Sequence, residues 1–420
     1  MRRVVRSADI GSGITQFRTL MKDNPGVRSN ALYIFTWNGT NILMTGQSIP
    51  AIDRDGMALS VEIFYTNSRH TITKRCTRYY NGSGSLVVGL EREYHMKLIV
   101  QKFGGSSVRD AQRLRNVAAI IADTRKRGND LIVVLSAQGN TTDELLRKAY
   151  ELSDEPAPRE LDALLATGEQ ASVALCAILL EEMGLPAVSL SAWQVGIHTE
   201  HRHGNARIKR IETARILKEL EQGRIVLVAG FQGVDAAEDI TTLGRGGSDT
   251  SAVALAAAFD AQRCEIYTDV DGVYTADPRI VPCATRYDEI DCEEMLVLAQ
   301  RGAKVLHSRS VELARDHGVD LEVLSSLVRG GGTRVAPQEA LVLPHLAGVT
   351  RDGGVISVVG TGLDRLSRAV EMLCETLDES DITVLETERT ERCVAVRVDE
   401  ADAIRVLRLA HKVFFEQEQK

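Results

Sequence analysis

Leu98-Ile99-Val100-Gln101-Lys102-Phe103-Gly104-Gly105-Ser106-Ser107 is an apolar, β-branched run that ends in a lysine, two glycines and two serines, just ahead of helix-like sequence. A buried strand that stops at such a turn delivers backbone N–H groups and a cation to one point. Glycine suits that point because a residue without Cβ lets the backbone approach a phosphate closely. Turn chemistry alone also produces such a pattern, so its meaning depends on the motifs further along the chain.

Beyond it, apolar strands alternate with helical periods. The pattern predicts strands over 98–100, 131–135, 225–229, 264–268 and 321–324, and helices over 109–127, 143–152, 159–180, 249–259 and 293–301. Nearly continuous apolar strands between helices indicate a parallel-rich α/β sheet covered on both faces. Ligands of such sheets gather beyond the carboxyl ends of the strands. The glycine run Gly330-Gly331-Gly332 reads as a linker. After it, a strand over 355–359, a helix over 366–377, strands over 382–386 and 393–398 and a helix over 401–411 give a ferredoxin-like βαββα unit.

The first segment differs. It is net basic where the remainder is acidic, and it holds Tyr33, Phe35, Trp37, Phe64, Tyr65, Tyr79, Tyr80 and Tyr94. Its helical periodicity is poor, with strand-like pieces such as 60–65. Arg2, Arg3 and Arg6 are not followed by the apolar core of a signal peptide. The segment reads either as a small β-rich appendage or as sequence upstream of a natural start at Met96.

With 420 residues and a net charge of −8, the chain has room for two or three domains and gives no reason to expect nucleic acid or a membrane as partner. No apolar run stands out as a membrane span. Cys76, Cys176, Cys264, Cys283, Cys292, Cys374 and Cys393 form no Cys-x-x-Cys pair, and reduced thiols in a cytoplasmic protein fit that scatter. His201 and His203 form the close histidine pair, with nothing nearby in sequence to complete a metal set, so no metal site is expected.

Several polar clusters fall at strand ends or helix starts. In Ser136-Ala137-Gln138-Gly139-Asn140-Thr141-Thr142-Asp143, Thr142 or Asp143 suits a helix cap. Thr167-Gly168-Glu169-Gln170 interrupts two helical stretches, and Glu169 either starts the second or offers its carboxylate to an amine. Leu243-Gly244-Arg245-Gly246-Gly247-Ser248-Asp249-Thr250 is less ordinary, because glycines around an arginine at a helix start make an anion pocket containing one acid. Arg245 can grip a carboxylate bidentately. Asp249 can take an ammonium or orient lysines, and simple capping needs no such glycine density. Thr268-Asp269-Val270-Asp271-Gly272-Val273-Tyr274-Thr275-Ala276-Asp277-Pro278-Arg279 has turn dipeptides, together with a tyrosine and an arginine suited to an adenine face and a polyphosphate. Gly302-Ala303-Lys304-Val305-Leu306-His307 adds a second lysine, which spacing alone assigns to a solvated or dipole-matching charge.

Taken together, and with His203-Gly204-Asn205-Ala206-Arg207-Ile208, these motifs resemble the aspartate kinases of the amino acid kinase family over about residues 96–335. Other amino acid kinases share the sheet but not this set. The resemblance implies that Lys102, Phe103, Gly104 and Gly105 hold the transferring phosphoryl group. Thr142, Glu169, Arg245, Gly246, Gly247 and Ser248 would bind L-aspartate, and Asp249 would position substrate or the active lysines. Thr268, Asp269, Tyr274, Arg279, Lys304 and Val305 would line the ATP site, with Mg²⁺ accompanying the nucleotide. The implied reaction converts the β-carboxylate to 4-phospho-L-aspartate, the first step toward lysine, threonine and methionine. The alternative is a non-catalytic amino-acid sensor or regulatory subunit on the same fold.

Departures from the family pattern are few. Ser106 stands for threonine and keeps the hydroxyl, Asn140 replaces a frequent lysine, and Ser308 a frequent proline. Residues 336–420 suffice for one ACT module, resembling the second of the usual two. That module would pair subunits into a homodimer, since its small sheet leaves an open edge. The expected division is 1–95, unassigned; 96–335, catalytic; 336–420, ACT-like and regulatory.

Overall fold

The computed structural model describes residues 97–336, 345–363 and 367–416, together with six strands in the first 95 residues. The chain divides into two compact units, Met1–Lys97 and Leu98–Lys420. In the first, strands Val5–Arg6, Leu32–Trp37, Thr40–Gln47, Ser60–Thr66, Thr71–Tyr80 and Leu86–His95 follow one another across a single sheet. After the opening parallel pair every neighbour is antiparallel, so this sheet is a meander. The strand expected over 60–65 lies within it.

The second unit is built on the strand that opens it. Strand β1 (Leu98–Phe103) is buried at every position. It pairs in parallel with β2 (Asp130–Leu135) on one side and with Arg263–Thr268 on the other. Because side chains alternate across a strand, β1 has two faces. Ile99 and Phe103 join the core against helix α1 (Ala111–Lys126) and helix α3 (Pro158–Glu182), through Leu114, Val117, Ile121, Val173 and Leu180. Lys102 points to the opposite face. Asp110 caps α1 by accepting from the Arg113 N–H, so the helix begins where the apolar period begins. Helix α2 (Thr141–Leu152) follows β2.

The rest of the sheet comes from β3 (Ala187–Leu190), β6 (Ile225–Ala229), β9 (Arg263–Thr268), β10 (Glu289–Asp291), β11 (Leu321–Ser325) and β12 (Thr333–Ala336), in the order β10-β12-β11-β9-β1-β2-β6-β3. All pairs are parallel except β11–β12. Helix α5 (Gly247–Ala258) covers the Lys102 face and is buried from Gly247 to Ala256, as an alanine-rich helix packed on all sides must be. Beside the sheet lie β4 (Ile197–Thr199), β5 (Ile208–Ile211), helix α4 (Ala214–Glu221), β7 (Gln232–Val234) and β8 (Ile240–Thr242). The four strands form a second sheet in the order β5-β4-β7-β8, which periodicity misses because its strands are only three or four residues long.

Three expectations need correction. The glycine run is not the linker. Gly330, Gly331 and Gly332 all take positive φ and turn the chain from β11 into its antiparallel neighbour β12. The expected interruption at Thr167-Gly168-Glu169-Gln170 is absent, since α3 runs unbroken from Pro158 to Glu182. That helix is also long and apolar enough to cross a membrane by length and composition. It packs instead on the sheet through Leu165, Ala166, Val173, Cys176 and Leu180.

Helices α6 (Cys292–Gln300) and α7 (Ser308–His317) lead toward the C-terminal layer. There β13 (His345–Asp352), β14 (Val355–Thr361), helix α8 (Ser367–Asp378), β15 (Glu386–Arg389), β16 (Cys393–Arg397) and helix α9 (Ala403–Phe415) build an antiparallel sheet ordered β13-β14-β16-β15. The expected βαββα order holds from β14 onward, but β13 precedes it and fills the edge place that a closing strand would take. The strand expected over 382–386 lies later, at 386–389. Asp381 has positive φ, the Ile382 N–H bonds to the Leu377 carbonyl, and Ile382 is buried in the core beneath the end of α8. Among the described residues six cysteines are free.

Candidate active site

The carboxyl end of β1 and the start of α5 meet in a buried ion pair. Lys102 Nζ lies 2.6 Å from Asp249 Oδ1, and both residues are below a tenth exposed. A charge of each sign shielded from water interacts far more strongly than at a surface. Asp249 stands in the first turn of α5, where the helix dipole favours its negative charge.

Ala137, just after β2, gathers the neighbouring elements. A Cβ on Gly105 would come within 2.7 Å of the Ala137 carbonyl oxygen, and one on Gly168 within 2.8 Å of the Ala137 Cβ. Glycine at both positions lets the β1 turn and α3 close on the same loop. That closeness sets the Glu169 carboxylate on the backbone: the Ala137 N–H donates to Oε1 at 3.0 Å. Glu169 is 3% exposed, and its Oε2 is buried without a hydrogen-bond partner. Burial pushes the Glu169 carboxyl up to about 7, against the opposing pull of the Ala137 N–H. A buried acid with a vacant oxygen matches an incoming ammonium.

The glycine-rich loop after β8 is held from two sides. Asp162, on α3, accepts from the Thr242 N–H, the Thr242 hydroxyl and the Gly204 N–H. Arg309, on α7, donates to Asn205 Oδ1 and to the carbonyls of Leu243 and Ala206. Burial and the like charge of Arg207 hold the Arg309 guanidinium below its ordinary pKa. Sequence reading missed both anchors. The one signal for Asp162 was a second acid, seven residues before Glu169, on a largely apolar helical face, and nothing marked Arg309. Between these anchors Ser248 is buried and Arg245 exposed. Thr142 is half-buried at the start of α2.

Five of the residues expected at a nucleotide gather on a second wall. Asp269, Tyr274, Arg279, Lys304 and Val305 line one cavity of about 450 Å³, which Val349, Thr350, Arg351 and Leu407 of the C-terminal layer complete. Arg279 is paired with Asp277 at 2.8 Å, and the Tyr274 hydroxyl donates to Asp271. Thr268 stands at the end of β9, where its hydroxyl donates to Asp269 Oδ1. Lys102, Gly104, Gly105 and Thr268, also expected at the nucleotide, do not line this cavity, and Phe103 points elsewhere altogether. Its ring is fully buried on the face away from Lys102, stacked on Tyr267 with centroids 4.5 Å apart, so only its backbone faces the turn.

A family model described as the amino acid kinase family matches residues 97–325. An aspartokinase of Geobacillus stearothermophilus is 50% identical over 291 residues, spanning 69% of this chain and 71% of its own. Aspartokinase 2 of Bacillus subtilis is 43% identical over 327 residues, spanning 74% and 80%. Among solved structures, Escherichia coli aspartokinase III in complex with aspartate and ADP superposes with a TM-score of 0.67 at 22% identity, covering 76% of this chain and 100% of that one. Aspartate kinase from Synechocystis gives 0.53 at 34% identity, covering 76% and 69%.

Proposed function

The chain belongs to the amino acid kinase family, among its aspartokinases, and from that premise we infer how its own residues move the γ-phosphoryl group of ATP to the β-carboxylate of L-aspartate. The reaction is an aspartate kinase's. An oxygen of the β-carboxylate attacks the γ-phosphorus, the bond to the ADP oxygen breaks, and 4-phospho-L-aspartate and ADP leave. The nucleophile is already ionised at neutral pH, so no general base is needed. The obstacle is the meeting of two anions.

We assign Lys102 to the transferring group, where its ammonium neutralises charge on the equatorial oxygens as the bond loosens. The Gly104-Gly105 backbone lets that group approach closely. Asp249 holds Lys102 in place. Glu169 takes the α-ammonium on Oε2, Arg245 grips the α-carboxylate, and Thr142, Gly246, Gly247 and Ser248 complete that subsite. Thr268, Asp269, Tyr274, Arg279, Lys304 and Val305 hold the nucleotide along the second wall. A hard cation such as Mg²⁺ would take oxygen ligands, and the carboxylate of Asp249 and the hydroxyl of Ser248 would be suitable donors. When bound it supplies further neutralisation of the phosphate oxygens.

We further propose that residues 96–335 are the catalytic domain and 336–420 an ACT-like regulatory domain through which subunits pair. The observations that carry the site assignment are the buried Lys102–Asp249 ion pair at the end of β1 and the buried Glu169 carboxylate held by Ala137, the residue against which Gly105 of the β1 turn also packs. The test is ADP release coupled to an indicator enzyme, with hydroxylamine present to trap the acyl phosphate as a hydroxamate. Release dependent on both L-aspartate and Mg²⁺, with hydroxamate formed, is expected. ADP release indifferent to aspartate would overturn the assignment.

A further inference from the structure

His201 and His203 close on a third group that lies far away in sequence. His201 Nδ1 is 2.5 Å from Asp235 Oδ2, and one ligand atom from each of His201, His203 and Asp235 falls within 4.8 Å of the other two. Asp235 sits in the β7–β8 hairpin with its side chain fully buried, while the His201 ring is 69% exposed. The sequence offered two histidines and no completion, because the completing carboxylate arrives through the pairing of β4 with β7.

Two of the three ligands are oriented from behind. The Nδ1 of His203 is 3.1 Å from the buried carboxylate of Asp162, leaving Nε2 as the nitrogen that ring has to give. Asp235 Oδ1 accepts the N–H groups of Ala237 and Asp239, which fixes the carboxylate and leaves Oδ2 for the cluster. A histidine held by a carboxylate and a carboxylate held by backbone amides are the supports that metal ligands characteristically receive. Tetrahedral ligands about 2.0 Å from a zinc-class ion stand roughly 3.3 Å apart. His201 and Asp235 therefore need to part by less than an ångström, a movement an exposed ring makes easily.

We propose that His201, His203 and Asp235 form a binding site for a divalent transition-metal ion of the zinc class, separate from the magnesium that accompanies ATP. Two imidazoles and one carboxylate suit Zn²⁺ or Co²⁺ and discriminate against Mg²⁺, which prefers six oxygens. Three protein ligands leave one position open to water, and the exposed His201 lets the ion come and go. An ion there ties the loop at 200–204 to the β7–β8 hairpin. Asp162 already joins that loop to Thr242, directly before the glycine-rich substrate loop.

The experiment is titration of the chelator-stripped full chain with Co²⁺ in the absence of nucleotide, followed by visible absorption, with Zn²⁺ as competitor. One equivalent of Co²⁺ should give the intense d–d bands of a four-coordinate site, and Zn²⁺ should displace them. His201→Gln, an exposed change that leaves folding intact, should weaken binding by more than about tenfold. Asp235→Asn should do the same while keeping its amide acceptor. Cys283→Ser alters the other potential cluster, with His411 and Glu416, and should leave the bands unchanged. Six-coordinate, weakly absorbing Co²⁺, or bands that survive His201→Gln, would overturn the proposal.

Discussion

Lys102 reaches Asp249 across the boundary between two layers, with 2.6 Å between an ammonium on a strand and a carboxylate on a helix. Neither charge has much water to turn to, so each depends on the other. Removing one partner leaves a lone buried charge, which costs about 3–5 kcal/mol. Lys102→Ala and Asp249→Asn should both lower the Tm. Both should also lower kcat by about 10²–10³ or more, as loss of a transition-state cation does. Lys102→Arg keeps the charge but not the compact geometry, so it should retain more stability than activity. Thermal melts beside initial rates separate the two effects. A variant lacking Lys102 with unchanged kcat would refute the role given to the lysine.

If Glu169 holds the substrate ammonium as proposed, substrate affinity depends on pH. Its carboxyl titrates at about 7, raised by burial, and only the ionised form pairs with an ammonium. The KM for aspartate should rise steadily as pH falls below about 7, while the KM for ATP stays level. Glu169→Gln should flatten that profile and raise the KM at every pH.

The same shift has a stability consequence of opposite sense. Below about pH 4.5 the carboxyl is neutral in the folded and the unfolded chain alike. As pH climbs from 4.5 to about 7 the unfolded chain ionises first, so the apo protein loses about 3 kcal/mol over that window. Denaturant melts across this range should show the slope in the wild type and its loss in Glu169→Gln. Saturating aspartate should reduce it.

Gly168 is a packing requirement inside a helix, where alanine would ordinarily be the better residue. Gly168→Ala places a methyl 2.8 Å from the Ala137 Cβ, and overpacking of this kind costs about 1–3 kcal/mol. Stability should fall and the KM for aspartate should rise, because Glu169 moves with the helix. Adding Ala137→Gly removes the obstructing atom and should restore both, which a double-mutant cycle of melts and rates will read.

Arg245 is exposed, so its removal should not disturb folding. Arg245→Ala should raise the KM for aspartate by roughly 10–100-fold, the worth of one charge-assisted pair, with an unchanged Tm and ATP KM. If Arg207, the guanidinium next to Arg309, takes the α-carboxylate instead, the effect will appear in Arg207→Ala.

How much was legible in the sequence depends on where the information lies. The strand Leu98–Phe103 and the glycine turn after it are local: continuous apolar residues, then a break. Lys102, Glu169 and Asp249 stand out as candidates because each sits near glycines that no simple helix or strand would carry. The short strands of the second sheet were not, since three residues hold too little periodicity to register. Asp162 and Arg309 act across 80 and 66 residues of chain, and no local spacing announces such partners. Phe103 shows the converse limit. Adjacency in sequence suggested a role beside Lys102, but alternation along the strand sends its ring into the opposite core.

The C-terminal layer is sewn into the loop that follows β9. The Val349 N–H bonds to the Thr275 carbonyl at 2.7 Å, the Thr350 hydroxyl to that of Arg301 at 2.7 Å, and Thr275 Oγ1 meets His411 Nε2 at 3.0 Å. A protein engineer wishing to exchange this layer for one from a relative therefore cannot cut at the join alone. The graft has to bring matching partners for Thr275 and Arg301, or the hybrid will lose the shape of the cavity that the two layers line together.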